Sequence, residues 1–88
     1  MQEKVVKIIN QLGLHARAAA QLVQVTNRYQ SRVYVIKNDQ EVDGKSIMGL
    51  LTLAAEKDSS LTIIVEGEDE KELLDELTKL IANKFYEE

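Results

Sequence analysis

The chain contains one histidine, His15, and Arg17 follows two positions later. Gly13 precedes the histidine, and Ala16, Ala18, Ala19, Ala20, Gln21 and Leu22 supply strong helix formers behind it. This spacing predicts a loop that turns on a glycine and passes into a helix at the imidazole. The first amides of a helix have no partner inside it, and the helix dipole places partial positive charge there. The backbone N–H groups of Ala16, Arg17 and Ala18 can therefore hold an anion, and Arg17 adds a planar charged fork. The same dipole and Arg17 disfavour the imidazolium, so the ring is expected to keep a free lone pair. A nucleophilic nitrogen beside an oxyanion cradle points to phosphate chemistry on His15. The plainer alternative is a surface or capping histidine.

A second constellation begins at Ser46. Asp43-Gly44-Lys45 reads as a turn, and Ser46 heads the short apolar segment Ile47-Met48-Gly49-Leu50-Leu51-Thr52-Leu53. Serine at that place is an N-cap, and a phosphate on it would be tolerated by the helix dipole, which makes Ser46 a candidate regulatory site. If Leu50, Leu53 and Ala54 face the core, then Ile47, Met48 and Leu51 face outward. An outward Ile-Met-Leu cluster is costly in water unless it meets partners, and methionine suits adaptable contacts. The competing reading places some of the three in the core.

These residues need a scaffold. Lys4–Ile9 is a β-branched run and predicts a first strand; Asn10–Gly13 is a loop, and a helix is expected from Ala16 to about Arg28. Ala19, Leu22, Val23 and Thr26 form its core stripe. Arg32–Ile36 predicts a second strand with Val33 and Val35 on one face, and Asn38-Asp39 a turn into a short third strand at Gln40–Val42. Leu61–Glu66 predicts a fourth strand, with Leu61, Ile63 and Val65 on one face. After Gly67, Asp69 is placed to cap a long helix from Glu70 to about Lys84, buried through Leu73, Leu74, Leu77, Leu80 and Ile81. The order β-α-β-β-α-β-α, with no proline and no linker, predicts one α+β domain over residues 1–88. Strands with one apolar face need cover on that face only, so the sheet should be open and antiparallel with all three helices on one side.

Composition narrows the chemistry. The chain of 88 residues has 44% apolar residues, enough for a core without staples, and no cysteine. With one histidine as well, no metal site is expected. No signal peptide and no apolar run near 18 residues is present, so a soluble cytoplasmic protein without membrane insertion is expected. The net charge of −4 is unevenly placed: residues 1–37 hold six basic side chains against one acid, and residues 38–88 five against fourteen. A basic region around His15 in an acidic chain argues against nucleic acid and for steering toward phosphate or an acidic protein surface.

The stretches Gly13-Leu14-His15-Ala16-Arg17-Ala18-Ala19, Gly44–Leu53 and Glu66-Gly67-Glu68-Asp69-Glu70 together resemble HPr, the histidine-containing phosphocarrier family of the bacterial phosphoenolpyruvate-dependent sugar phosphotransferase system (PTS). The likeness covers essentially the whole chain. It implies an open-faced β-sandwich of four antiparallel strands and three helices. It implies that His15 accepts a phosphoryl group from enzyme I, on the ring nitrogen nearer the backbone, and passes it to a histidine of an enzyme IIA domain. Arg17 would stabilise the group. Ser46 matches a serine that a dedicated HPr kinase/phosphorylase modifies in some bacteria. Ala16, Ala20, Ile47, Met48 and Leu51 match the partner-docking surface. No cofactor is implied, and nothing demands more than a monomer. One departure stands out: the family commonly has proline directly after the arginine, where this chain has Ala18.

Two other classes of function remain open on the residues alone. One is an HPr-like regulatory protein that acts on transcription or metabolism through contacts around Ser46. The other is a small-ligand-binding α+β module without phosphotransfer. The sequence shows no nucleotide-binding glycine loop and no catalytic triad, so it is expected to be a protein substrate turned over by others rather than an independent catalyst.

Overall fold

The computed structural model describes residues Met1 to Glu87. Its strands are β1 (Gln2–Lys7), β2 (Arg32–Lys37), β3 (Gln40–Asp43) and β4 (Ser60–Glu66), and its helices α1 (Ala16–Thr26), α2 (Ile47–Thr52) and α3 (Glu70–Ala82). The four strands form an antiparallel sheet in the order β1-β4-β2-β3. The α+β open-sheet architecture expected from the sequence is therefore the observed one.

Alternation dictates which face is covered. Leu61, Ile63 and Val65 of β4, Val33 and Val35 of β2, and Val6 of β1 point into the core, while Val5, Tyr34, Ile36, Thr62 and Ile64 occupy the other face. The helices cover the first face only. α1 buries Ala18, Ala19, Leu22, Val23, Val25 and Thr26, and α3 buries Leu73, Leu74, Leu77, Leu80 and Ile81. Ala18 and Val25 widen the α1 stripe beyond the four residues expected.

Pairing, not composition, sets the ends of β1. The expected strand at Lys4–Ile9 begins earlier, because Gln2 and Glu3 lie opposite Val65 and Ile64 of β4. After Lys7 the ladder gives way to single bonds: the Ile8 amide donates to the Ser59 carbonyl at 2.8 Å, and the Asp58 amide donates to Ile8 at 2.7 Å. The β2–β3 hairpin turns at Asn38-Asp39 as expected, with Asn38 in the left-handed region at φ 56°.

Asp69 stands at the N-cap of α3 but does not cap it. Its carboxylate reaches back to the loop after α1, where it accepts from the amides of Gln30 (2.9 Å) and Ser31 (3.0 Å) and from the Ser31 hydroxyl. The Glu70 carboxylate instead accepts from the Gly67 amide at 3.1 Å, satisfying a donor ahead of the helix. Beyond α3, Lys84, Phe85 and Tyr86 all take left-handed backbone angles, with φ of 57°, 53° and 56°. This tight hook buries Phe85 in the core and turns the chain back toward the start of α1.

Candidate functional site

His15 is the N-cap residue of α1, with extended backbone angles and no capping hydrogen bond from its side chain. The first helical bond runs from the Ala19 amide to the His15 carbonyl at 2.8 Å. The amides of Ala16, Arg17 and Ala18 precede that bond, and they are the donors the sequence marks for an anion. The Ala18 side chain is fully buried while Ala16 and Arg17 are exposed, so position 18 serves the core through its methyl group and the helix start through its backbone.

The loop before the helix is fixed by close backbone approach. Gly13 has φ +67°, and a Cβ there would lie 2.5 Å from the Ala55 carbonyl oxygen and 2.8 Å from Glu56 Cα. The next amide, Leu14, donates to the same Ala55 carbonyl at 2.8 Å. Glycine is thus needed twice, for its conformation and for its lack of a side chain.

His15 and Arg17 line a hollow of about 550 Å³ together with Leu12, Ala18, Phe85, Tyr86 and Glu87. Arg17 is exposed and, among the described residues, forms no ion pair. The C-terminal side of the hollow was not anticipated from sequence. Glu87 Oε1 lies 3.3 Å from His15 Nε2, a close contact whose alignment falls short of a full hydrogen bond. The same carboxylate accepts from Asn10 Nδ2 and from the Leu12 amide, each at 3.0 Å. Asn10 is itself buried and donates to the Gly13 carbonyl at 2.7 Å. The Asn10 hydrogen bond, helped by the Leu12 amide and by His15, holds the Glu87 carboxyl below the usual range against the opposing effect of burial. No local pattern marks Glu87: it follows the last helix as one acid among many. The buried Phe85 was the available signal, since an aromatic after a helix end in a small protein needs a place to pack.

The Ser46 constellation lies outside this hollow, on α2, which packs against α1. Ser46 is the N-cap of α2, and its hydroxyl accepts from the Gly49 amide at 3.0 Å. Ile47 and Met48 are exposed, Met48 at 71%. Leu51 departs from expectation: it is half-buried and packs against the core, so the outward cluster reduces to Ile47 and Met48. Ala54 is exposed and Ala55 takes the buried position instead, because the chain leaves helical geometry at Ala54, φ 48°. Ala20 is half-buried on α1.

Residues 2–83 match the family described as "PTS HPr component phosphorylation site". The chain belongs to this family, the HPr phosphocarriers of the phosphotransferase system. It is 47% identical over 87 residues to the phosphocarrier protein HPr of Cupriavidus necator, covering 99% of this chain and 98% of that one. Among solved structures, HPr-C-His from Thermoanaerobacter tengcongensis superposes with a TM-score of 0.96 at 40% identity, over 100% of this chain and 99% of the other. An HPr dimer from the same organism matches at a TM-score of 0.79 and 39% identity, over 99% of this chain and all of that one. No helix among the described residues is long and apolar enough to cross a membrane.

Proposed function

We propose that His15 is the residue that takes up and gives away the phosphoryl group. The observation that supports this most directly is the juxtaposition of His15 and Arg17 in one hollow at the start of α1. Phosphorylated enzyme I is the donor, and a histidine on an enzyme IIA domain is the acceptor. Arg17, with no ion pair of its own among the described residues, is available to neutralise the arriving phosphoryl oxygens, and the amides of Ala16, Arg17 and Ala18 add dipolar stabilisation. Ala16, Ala20, Ile47 and Met48 form the docking surface, with Leu51 supporting it from the core side. Ser46 is the regulatory site, modified by an HPr kinase/phosphorylase where the host has one. The protein acts in the cytoplasm and works as a monomer. Mass measurement in solution separates this from the dimeric forms of two relatives.

Incubation with enzyme I and labelled phosphoenolpyruvate tests the assignment. The expected product is an acid-labile, alkali-stable label that is lost in His15→Ala. A His15→Ala variant that labels as well as the wild type would overturn it. The regulatory alternative, with contacts but no transfer, predicts no label on the wild type.

A further inference from the structure

The helices occupy one face of the sheet and leave the other open. On the open face the strand register sets side chains in rows. Glu3, Ile64, Tyr34 and Asp43 lie side by side across β1, β4, β2 and β3, and Val5, Thr62, Ile36 and Glu41 form the next row. Val5 is 63% exposed, and Tyr34, Ile36, Thr62 and Ile64 are half-buried. An apolar strip with an aromatic ring therefore runs over the middle of this face.

Charge borders the strip unevenly. Glu3 stands on the β1 side and Glu41 and Asp43 on the β3 side, all three exposed. Among the described residues none of them forms an ion pair. The basic side chains lie beyond the ends of the strip. Arg32 sits opposite Glu66, which offsets it, and Lys7 sits opposite Ser60. Lys45, beside Arg32, has its ammonium held by the Tyr29 carbonyl at 2.8 Å. An apolar strip between two acidic margins is complementary to an apolar stripe between two cationic ones.

We propose that the open face of the sheet is a second docking surface, separate from the His15 side, and that it takes a basic amphipathic helix of a partner protein. The dimensions favour a helix. Glu3 and Asp43 are three strand spacings apart, about 14 Å, so a helix about 10–12 Å across fits between them with its flanking lysines or arginines over the acids. From Glu66 to Ser60 the face runs about 20 Å, the length of about 13 helical residues. A helix laid there covers the second face of the sheet as the chain's own helices cover the first. A second copy of this chain fits less well. With the strands of two copies aligned about a two-fold axis, Asp43 of one lands over Glu3 or Glu41 of the other. So small a face also falls short of the roughly 1,200 Å² that a stable dimer buries, whereas it suits a weak and transient partner. A carrier held this way keeps His15, Ile47 and Met48 free, because they belong to the helix layer.

The test uses the full chain labelled with nitrogen-15 and a peptide of about 14 residues whose leucine stripe is flanked on both sides by lysine. Its addition should shift the amides of β1, β2, β3 and β4 and saturate with a Kd of about 10 µM to 1 mM, the range of a small transient contact. The same peptide with glutamate for every lysine should shift none of them. Glu3→Lys combined with Glu41→Lys alters two exposed side chains and should weaken the lysine peptide about fivefold or more with the fold intact. Val5→Ser removes apolar contact without changing charge and should weaken it about threefold. Labelling by phosphorylated enzyme I should keep its rate while the peptide is bound. No saturable shift, equal shifts from both peptides, shifts centred on α1 and α2, or slowed labelling overturns the proposal. So does a peptide-free protein whose mass doubles with concentration while the same amides shift, which would give the face to a second copy.

Discussion

The carboxylate of Asp69 spans from the head of α3 to Ser31, accepting from both its amide and its hydroxyl and so locking the exit of α1 to the start of the last helix. The Ser31 hydroxyl, with the amides of Gln30 and Ser31, holds the Asp69 carboxyl below the ordinary carboxylate range against burial. A folded-state value below the unfolded one means that the contribution is complete above the ordinary range and is lost as pH falls through the lowered value. Asp69→Asn should therefore unfold more easily than the wild type at neutral pH, with the gap closing in acid, below the ordinary carboxylate range. Denaturant melts at the two pH values check this; a gap that widens in acid would contradict it.

Gly13→Ala should lose about 2–4 kcal/mol, from the left-handed backbone and from overlap with the backbone at Ala55 and Glu56. The loop 10–15 is what sets His15 against Glu87, so transfer should fall together with stability. Urea unfolding and the labelling rate, measured on the same preparation, give both values.

Ser46 caps a helix of only six residues, so Ser46→Ala should cost about 1 kcal/mol and lower Tm by about 4–8 °C. Ser46→Asp keeps a good capping group, so its Tm should stay within a few degrees of the wild type. It nonetheless adds charge beside the exposed Ile47 and Met48, and transfer from enzyme I should slow. Calorimetry and labelling on the two variants separate the structural role of the serine from its electrostatic one.

Met48 is exposed and contributes little to the core. Met48→Asp should leave stability within about 0.5 kcal/mol of the wild type. If α2 is the docking surface, binding to enzyme I should weaken by about fivefold or more. Leu51→Ala, by contrast, should show in the melt as well, because Leu51 packs against the core. Titration calorimetry with enzyme I distinguishes the two.

The sequence was most legible where periodicity and burial coincide. Leu61, Ile63 and Val65 alternate on β4, and Leu73, Leu77 and Leu80 recur on α3, so element type and inner face could both be read. It was less legible at α2, where six residues give too little period to tell the half-buried Leu51 from the exposed Ile47. The His15–Arg17 half of the site is local and its helix start is written beside it. The Asn10–Glu87 half is made by tertiary folding, and Asp69, a correctly placed cap by residue type, is diverted by a better set of donors at Gln30 and Ser31.

Asn10 and Glu87 stand 77 positions apart, although they touch. On a ribosome adding about 5–20 residues per second, the segment bearing His15 is finished about 4–15 s before the carboxylate that faces it exists. A chain not yet extended past residue 87 thus presents its histidine without the carboxylate that faces it. The hollow at the start of α1 is complete only once synthesis has passed Glu87, so a fragment ending before it lacks one wall of the site.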